Sequence, residues 1–181
     1  MKINLQHPRH LAIIAISIAL VLLLTRPIIP TMRGYIHLGD IAIYFAAFTF
    51  GPVVGLIAGG VGTSLADLLT GSYAIFAPLS LVVHGIQGWV SGWIYQKYPT
   101  VSGSIFALLT GGIIVVGGYF IGQLVPIWGG PVAALASVPF NILQVLVGSL
   151  GGVVHFAAVR AYPRLRFALL NFKNSNALIP Q

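Results

Sequence analysis

The chain alternates long apolar runs with short breaks rich in proline, glycine or charge, and the polar residues inside the runs recur at helical spacing. The run Leu11 to Leu24 follows a start bearing Lys2, Arg9 and two histidines. It predicts a first transmembrane helix rather than a secretory signal, because Thr25-Arg26-Pro27 and no small-x-small cleavage pattern comes after it. Arg26 to Leu38 contains two prolines, a glycine, two arginines and a histidine, so it predicts a loop. A second helix is expected from about Gly39 to Phe50 and a third from Pro52 to Leu69, hinged at Gly51-Pro52. At about 1.5 Å per residue the second is roughly 18 Å long, short of the roughly 30 Å of bilayer hydrocarbon. After the loop 70–76, a fourth helix is expected from about Ala77 to Gln96 and a fifth from about Gly103 to Leu124. A sixth, from about Val132 to Val159, contains Pro139.

Polar and small residues form stripes on these helices. Ser80, His84, Gln87 and Ser91 follow spacings of four, three and four, which puts them on one face of the fourth helix. Tyr119 and Gln123 lie four apart near the end of the fifth. Asn141, Gln144, Gly148, Gly151 or Gly152, and His155 share a face of the sixth. Gly51, Gly55, Gly59, Gly62 and Ala66 make a small-residue stripe on the third helix, and Ala12, Ala15 and Ala19 make one on the first. Such stripes let helices approach closely in a membrane.

Composition makes the membrane reading firm. The chain of 181 residues is 57% hydrophobic and 6% charged, with a mean hydropathy of +0.97. Soluble domains carry roughly 25% charged residues. The expected fold is an all-α bundle of six transmembrane helices, as one domain over 1–160 with a basic tail over 161–181. Placing both termini in the cytoplasm puts Lys2, Arg9, Lys97, Arg160, Arg164, Arg166 and Lys173 inside and leaves Arg26 and Arg33 outside, which satisfies the positive-inside rule of a cell-membrane protein. The basic residues form no run suited to nucleic acid, so the net charge of +7 marks membrane topology. Cysteine is absent, which excludes disulfides and thiolate chemistry.

The only two acidic residues, Asp40 and Asp67, fall at the same membrane face. The outer third of the bundle collects them with arginine, histidine, amides and aromatics, a set suited to a small polar ring-bearing molecule. The carboxylates read as the rim of a site whose deeper polar floor comes from the fourth and sixth helices. Simpler roles also fit: Asp40 as an N-cap, Asp67 as a partner of Arg33 or Arg26, His84 as a structural histidine, and Asn141 and Gln144 as interhelical hydrogen-bonding residues. No HExxH, GxSxG or Walker A pattern is present, so no catalytic residue and no cofactor is expected. Asp40, Asp67, His37 and His84 could meet around a metal, but no ligand pair sits at helix-face spacing, and no metal is expected. A small proton-coupled transporter using Asp40, Asp67 or His84 as a relay, or a structural subunit with no ligand, are the alternatives.

Ala15-xxx-Ala19, LGD from Leu38, FGPVVGLIAGGVG from Phe50, ADLLTGSY from Ala66 and PFNILQVLVGSLGG from Pro139 together resemble the S components of energy-coupling factor (ECF) vitamin transporters, over about residues 11 to 160. The resemblance implies a six-helix subunit that captures a B vitamin or precursor from outside under a lid between helices one and two. It also implies docking of Ala12, Ala15 and Ala19 against a transmembrane T component coupled to two cytosolic ATPases. By position the ligand residues would be Tyr35, His37, Asp40, Asp67, Tyr73, His84, Gln87, Tyr119, Trp128, Asn141 and Gln144. LGD and ADLL look closest to members associated with thiamine precursors such as hydroxymethylpyrimidine or thiazole, and related sequences are assigned to pantothenate or folate.

Overall fold

The structure is a computed structural model that describes residues 7–26, 29–31 and 34–161. Helix α1 (Pro8–Thr25) leads into a two-stranded antiparallel hairpin, β1 (Ile29–Thr31) and β2 (Gly34–Ile36), which pairs Ile29 with Ile36 and Thr31 with Gly34. Then come α2 (Gly39–Phe50), α3 (Pro52–Thr70), a 3-10 turn at Ala74–Phe76, α4 (Ala77–Lys97) and α5 (Val101–Gln123). A second 3-10 turn at Pro126–Trp128, α6 (Gly130–Gly148) and α7 (Leu150–Ala161) complete the described chain.

Two expectations are corrected. The segment from Arg26 to Leu38 is not a plain loop, because its middle folds as the hairpin and Leu38 N–H donates to Leu24 O at 3.1 Å. Strands of three residues are too short to show an alternation in the sequence. The sixth helix does not run unbroken to Val159 but stops at Gly148 and restarts at Leu150. Pro139 is accommodated inside α6. The interruption falls instead where Gly148 lies against the Asp40 side chain and Gly151 against the Ile41 backbone. There Ser149 turns its hydroxyl back onto Val145 O at 2.9 Å.

Among the described residues five stretches are long and apolar enough to cross a membrane, with α6 and α7 counted as one span, and α2 is a shorter apolar helix. That short helix is the centre of the bundle. It packs on α1, α3, α4, α6 and α7, and Ile43, Tyr44 and Ala47 are fully buried. A helix enclosed by other helices need not span the hydrocarbon, which accommodates its 12 residues. The turn after it depends on Gly51, whose φ of 98° is open to glycine and costly for other residues. α3 and α4 then meet at Gly55 and Gly88, where a Cβ on Gly55 would lie 2.5 Å from the Gly88 carbonyl oxygen. Side chains such as Ile113, Leu109 and Leu146 point outward, as lipid contact requires.

Candidate functional site

The polar residues converge at the end of the bundle that the charge distribution assigns to the outside, and they form three layers. The deepest is a buried network joining α2, α4 and α6. Asp40, in the first turn of α2, takes a hydrogen bond from Gln144 Nε2 at 2.8 Å and lies 3.2 Å from His84 Nδ1. His84 Nδ1 also lies 2.8 Å from Gln87 Oε1. Asp40, His84 and Gln87 are fully buried. The N-cap residue of α2 is Leu38 and makes no side-chain cap bond, so Asp40 is not an N-cap. Nor is Asp40 at the rim, since it belongs to the layer beneath the cavity.

Above this layer is an inner cavity of about 40 Å3, bordered by Tyr35, His37, Asp67, Ser80, Tyr119, Asn141 and Gln144, with Thr31, Gly34, Phe76, Gln123, Ser137 and Phe140. Asp67 lies at the outer end of α3, and Tyr35 on β2 donates its hydroxyl to Asp67 Oδ1. Burial, and then the Asp67 charge, push the Tyr35 phenol well above its ordinary range, so it remains a donor. Of the two arginines expected beside Asp67, Arg26 donates instead to Leu69 O at 3.1 Å, and Arg33 lies outside the described residues. Ser80 and Tyr119 share a hydrogen bond of 2.7 Å. His37 accepts from Gly39 N–H at Nδ1, 3.1 Å, and burial pulls its imidazole down to about 4. Gln144 ties this layer to the one below, because its Oε1 accepts from His37 N–H at 3.2 Å while its Nε2 serves Asp40. The Nδ2 of Asn141 is buried without a hydrogen-bond partner among the described residues.

The outermost layer is an open vestibule of about 350 Å3 between the hairpin and the two 3-10 turns, where Tyr73 and Trp128 lie. The expected site residues therefore divide. Tyr35, His37, Asp67, Tyr119, Asn141 and Gln144 border the inner cavity, Tyr73 and Trp128 the vestibule, and Asp40, His84 and Gln87 neither. Ser137 and Gln123 border the cavity without having been singled out as site residues. Ser137 continues the Asn141–Gln144 stripe at a spacing of four, and Gln123 follows Tyr119 at four, so periodicity could have found both. Phe140 and Phe76 carry no such mark. Among the described residues no group of three histidines or carboxylates is placed to hold a metal. On α1, Ala12, Ala15 and Ala19 are exposed, while Ile14, Ser17 and Val21 face the bundle.

A family model described as ECF-type riboflavin transporter, S component, matches residues 6–161. The thiamine precursor transporter HmpT of Lactococcus lactis subsp. cremoris (strain MG1363) is 35% identical over 145 residues, covering 77% of this chain and 81% of that protein. An uncharacterized protein of Pyrococcus woesei is 33% identical over 151 residues, covering 82% of this chain and 99% of its own length. A solved structure of the S component of a bacterial ECF transporter superposes with a TM-score of 0.70 at 22% identity, over 84% of this chain and 95% of that one. At that identity the match bears on the fold.

Proposed function

Since this chain belongs to the S-component family of ECF transporters, we propose that its substrate is a small, uncharged or cationic aromatic heterocycle rich in hydrogen-bond donors, of the thiamine-precursor kind. Membership makes the chain a non-enzymatic, substrate-binding subunit embedded in the membrane as a multi-pass protein. The observation that carries the finer reading is the lining of the inner cavity. Its formal charge is Asp67, and no lysine or arginine borders it among the described residues. An anionic vitamin entering there would meet a carboxylate with no cation to offset it among the described residues. A ring with exocyclic amino or hydroxyl groups would instead donate to Asp67 and accept from the spare N–H of Asn141.

Size points the same way. A cavity of about 40 Å3 holds roughly three waters at about 10–15 Å3 each. A single ring requires the lining side chains to withdraw, and a fused tricycle such as riboflavin requires far more. The riboflavin reading is supported by the description of the matching family model, and it is the competitor to test. For transport, the exposed Ala12, Ala15 and Ala19 face suits close docking of a transmembrane T component served by two cytosolic ATPases.

Thermal unfolding of the purified protein with hydroxymethylpyrimidine, riboflavin or pantothenate decides between them. A ligand at 100 times its Kd adds about 2.7 kcal/mol. Stabilisation by hydroxymethylpyrimidine and by neither of the others is expected. Stabilisation by riboflavin or pantothenate alone would overturn the reading.

A further inference from the structure

The vestibule is larger than the inner cavity and adjoins it. Tyr35 borders the inner cavity and Tyr73 the vestibule, and their ring centroids are 4.6 Å apart at an interplanar angle of 48°. Thr31, Gly34 and Phe76 border both spaces. We propose that the vestibule is a second binding site, a stacking site that holds an aromatic heterocycle before it passes Tyr35 into the inner cavity. This inference rests on the function proposed above.

Its composition suits that role. Tyr73, Phe76 and Trp128 supply aromatic surface from two separate outer turns, and a volume of about 350 Å3 falls within the range of roughly 300–1,000 Å3 of small-molecule pockets. The Trp128 indole N–H donates to Ile75 O at 2.7 Å, so the ring is held in one orientation by the neighbouring turn. Aromatic faces arranged this way bind a flat ring by offset or tilted stacking with little demand on its hydrogen-bonding edge. The inner layer makes that demand instead. The barrier between the two is a single exchange. Tyr35 O–H occupies Asp67 Oδ1, and a ring carrying an N–H or O–H donor can take the same oxygen as the phenol leaves. The buried carboxylate is never left short of a donor, and the pairing of Asp67 opposes entry by rings that have no donor to offer.

The test uses the three tryptophans. Trp89→Phe/Trp93→Phe leaves Trp128 as the single tryptophan of the chain. Stopped-flow mixing of this protein with hydroxymethylpyrimidine should give a fast fluorescence change whose rate rises linearly with concentration, then a slower phase that saturates. Adding Tyr35→Phe should speed the slow phase roughly tenfold, by removing a hydrogen bond to a charged acceptor. Adding Ile127→Arg, at a residue that borders the vestibule, should slow association in the stopped flow while leaving the calorimetric equilibrium constant within about twofold, because the obstruction lies on the path and not in the final site. A single phase, linear to the highest concentration and accompanied by normal calorimetric binding, would overturn the vestibule while leaving the proposed function standing. The absence of any binding heat or melting shift overturns both.

Discussion

Replacing Asp40 should destabilise the protein more than replacing Asp67, although these are its only acidic side chains. Asp40 faces His84 Nδ1 at 3.2 Å and Gln144 Nε2 at 2.8 Å, and all three residues are buried. Asp40→Ala deprives Gln144 Nε2 of its acceptor and removes the carboxylate beside His84, whose Nδ1 keeps Gln87 Oε1 at 2.8 Å. Removing one partner of a buried carboxylate pair costs about 3–5 kcal/mol, a large share of a total stability of about 5–15 kcal/mol. At roughly 2–4 °C per kcal/mol for a chain of this size, the melting temperature should fall by roughly 6–20 °C. Asp40→Asn keeps an acceptor and should lose less. The assay is thermal unfolding in detergent or nanodiscs of the single variants and of Asp40→Ala/His84→Ala. Both single changes remove the same contact, so the double variant should lose less than the sum of the two, by at least about 1 kcal/mol. If Asp40→Ala melted with the unmodified protein and only ligand affinity collapsed, the buried pair would be refuted and Asp40 would have to face the ligand.

Asp67→Asn, by contrast, should shift the melting temperature by only a few degrees and weaken hydroxymethylpyrimidine at least tenfold in calorimetry, since Asp67 borders the cavity and hydrogen bonds to charged groups are worth about 1.5–3 kcal/mol. His37 predicts a pH dependence: burial holds its pKa at about 4 against an ordinary 6.5, so the unfolded chain binds more protons between those values. Its contribution is therefore complete above about pH 6.5 and is lost as pH falls towards about 4. Melting curves of the unmodified protein and His37→Gln should diverge only below about pH 6.5. Gly55→Ala should destabilise by about 1–3 kcal/mol, because its Cβ meets the Gly88 carbonyl. Gly117→Ala, with open space around the new Cβ, should be neutral or stabilise by up to about 1 kcal/mol in the same melts. Ala15→Trp should abolish co-purification with the T component and leave ligand binding intact, and loss of both together would indicate misfolding instead.

Much of the bundle was legible in the sequence because the bilayer imposes its own rules. Apolar runs of a given length must be helices, Pro and Gly mark where they stop, and the excess of Lys and Arg assigns the two faces. The stripe Ser80, His84, Gln87 and Ser91 is wholly buried in the fold, as its spacing required. The hairpin was not legible, since strands of three residues leave no periodic signal, and neither was the interruption at Ser149, which depends on what Gly148 and Gly151 press against on α2.

By itself, then, the sequence determined the order of the apolar spans, the buried face of α4 and the membrane side to which the charge pattern assigns the two carboxylates. Only the tertiary structure decided where each carboxylate sits and what it pairs with. Helical periodicity orients a side chain within its own helix but carries no information about how that helix is rotated and seated against another. The pairings that place them, Asp40 with Gln144 and Tyr35 with Asp67, join residues 104 and 32 positions apart. Packing sank Asp40 beneath the cavity and left Asp67 at its wall.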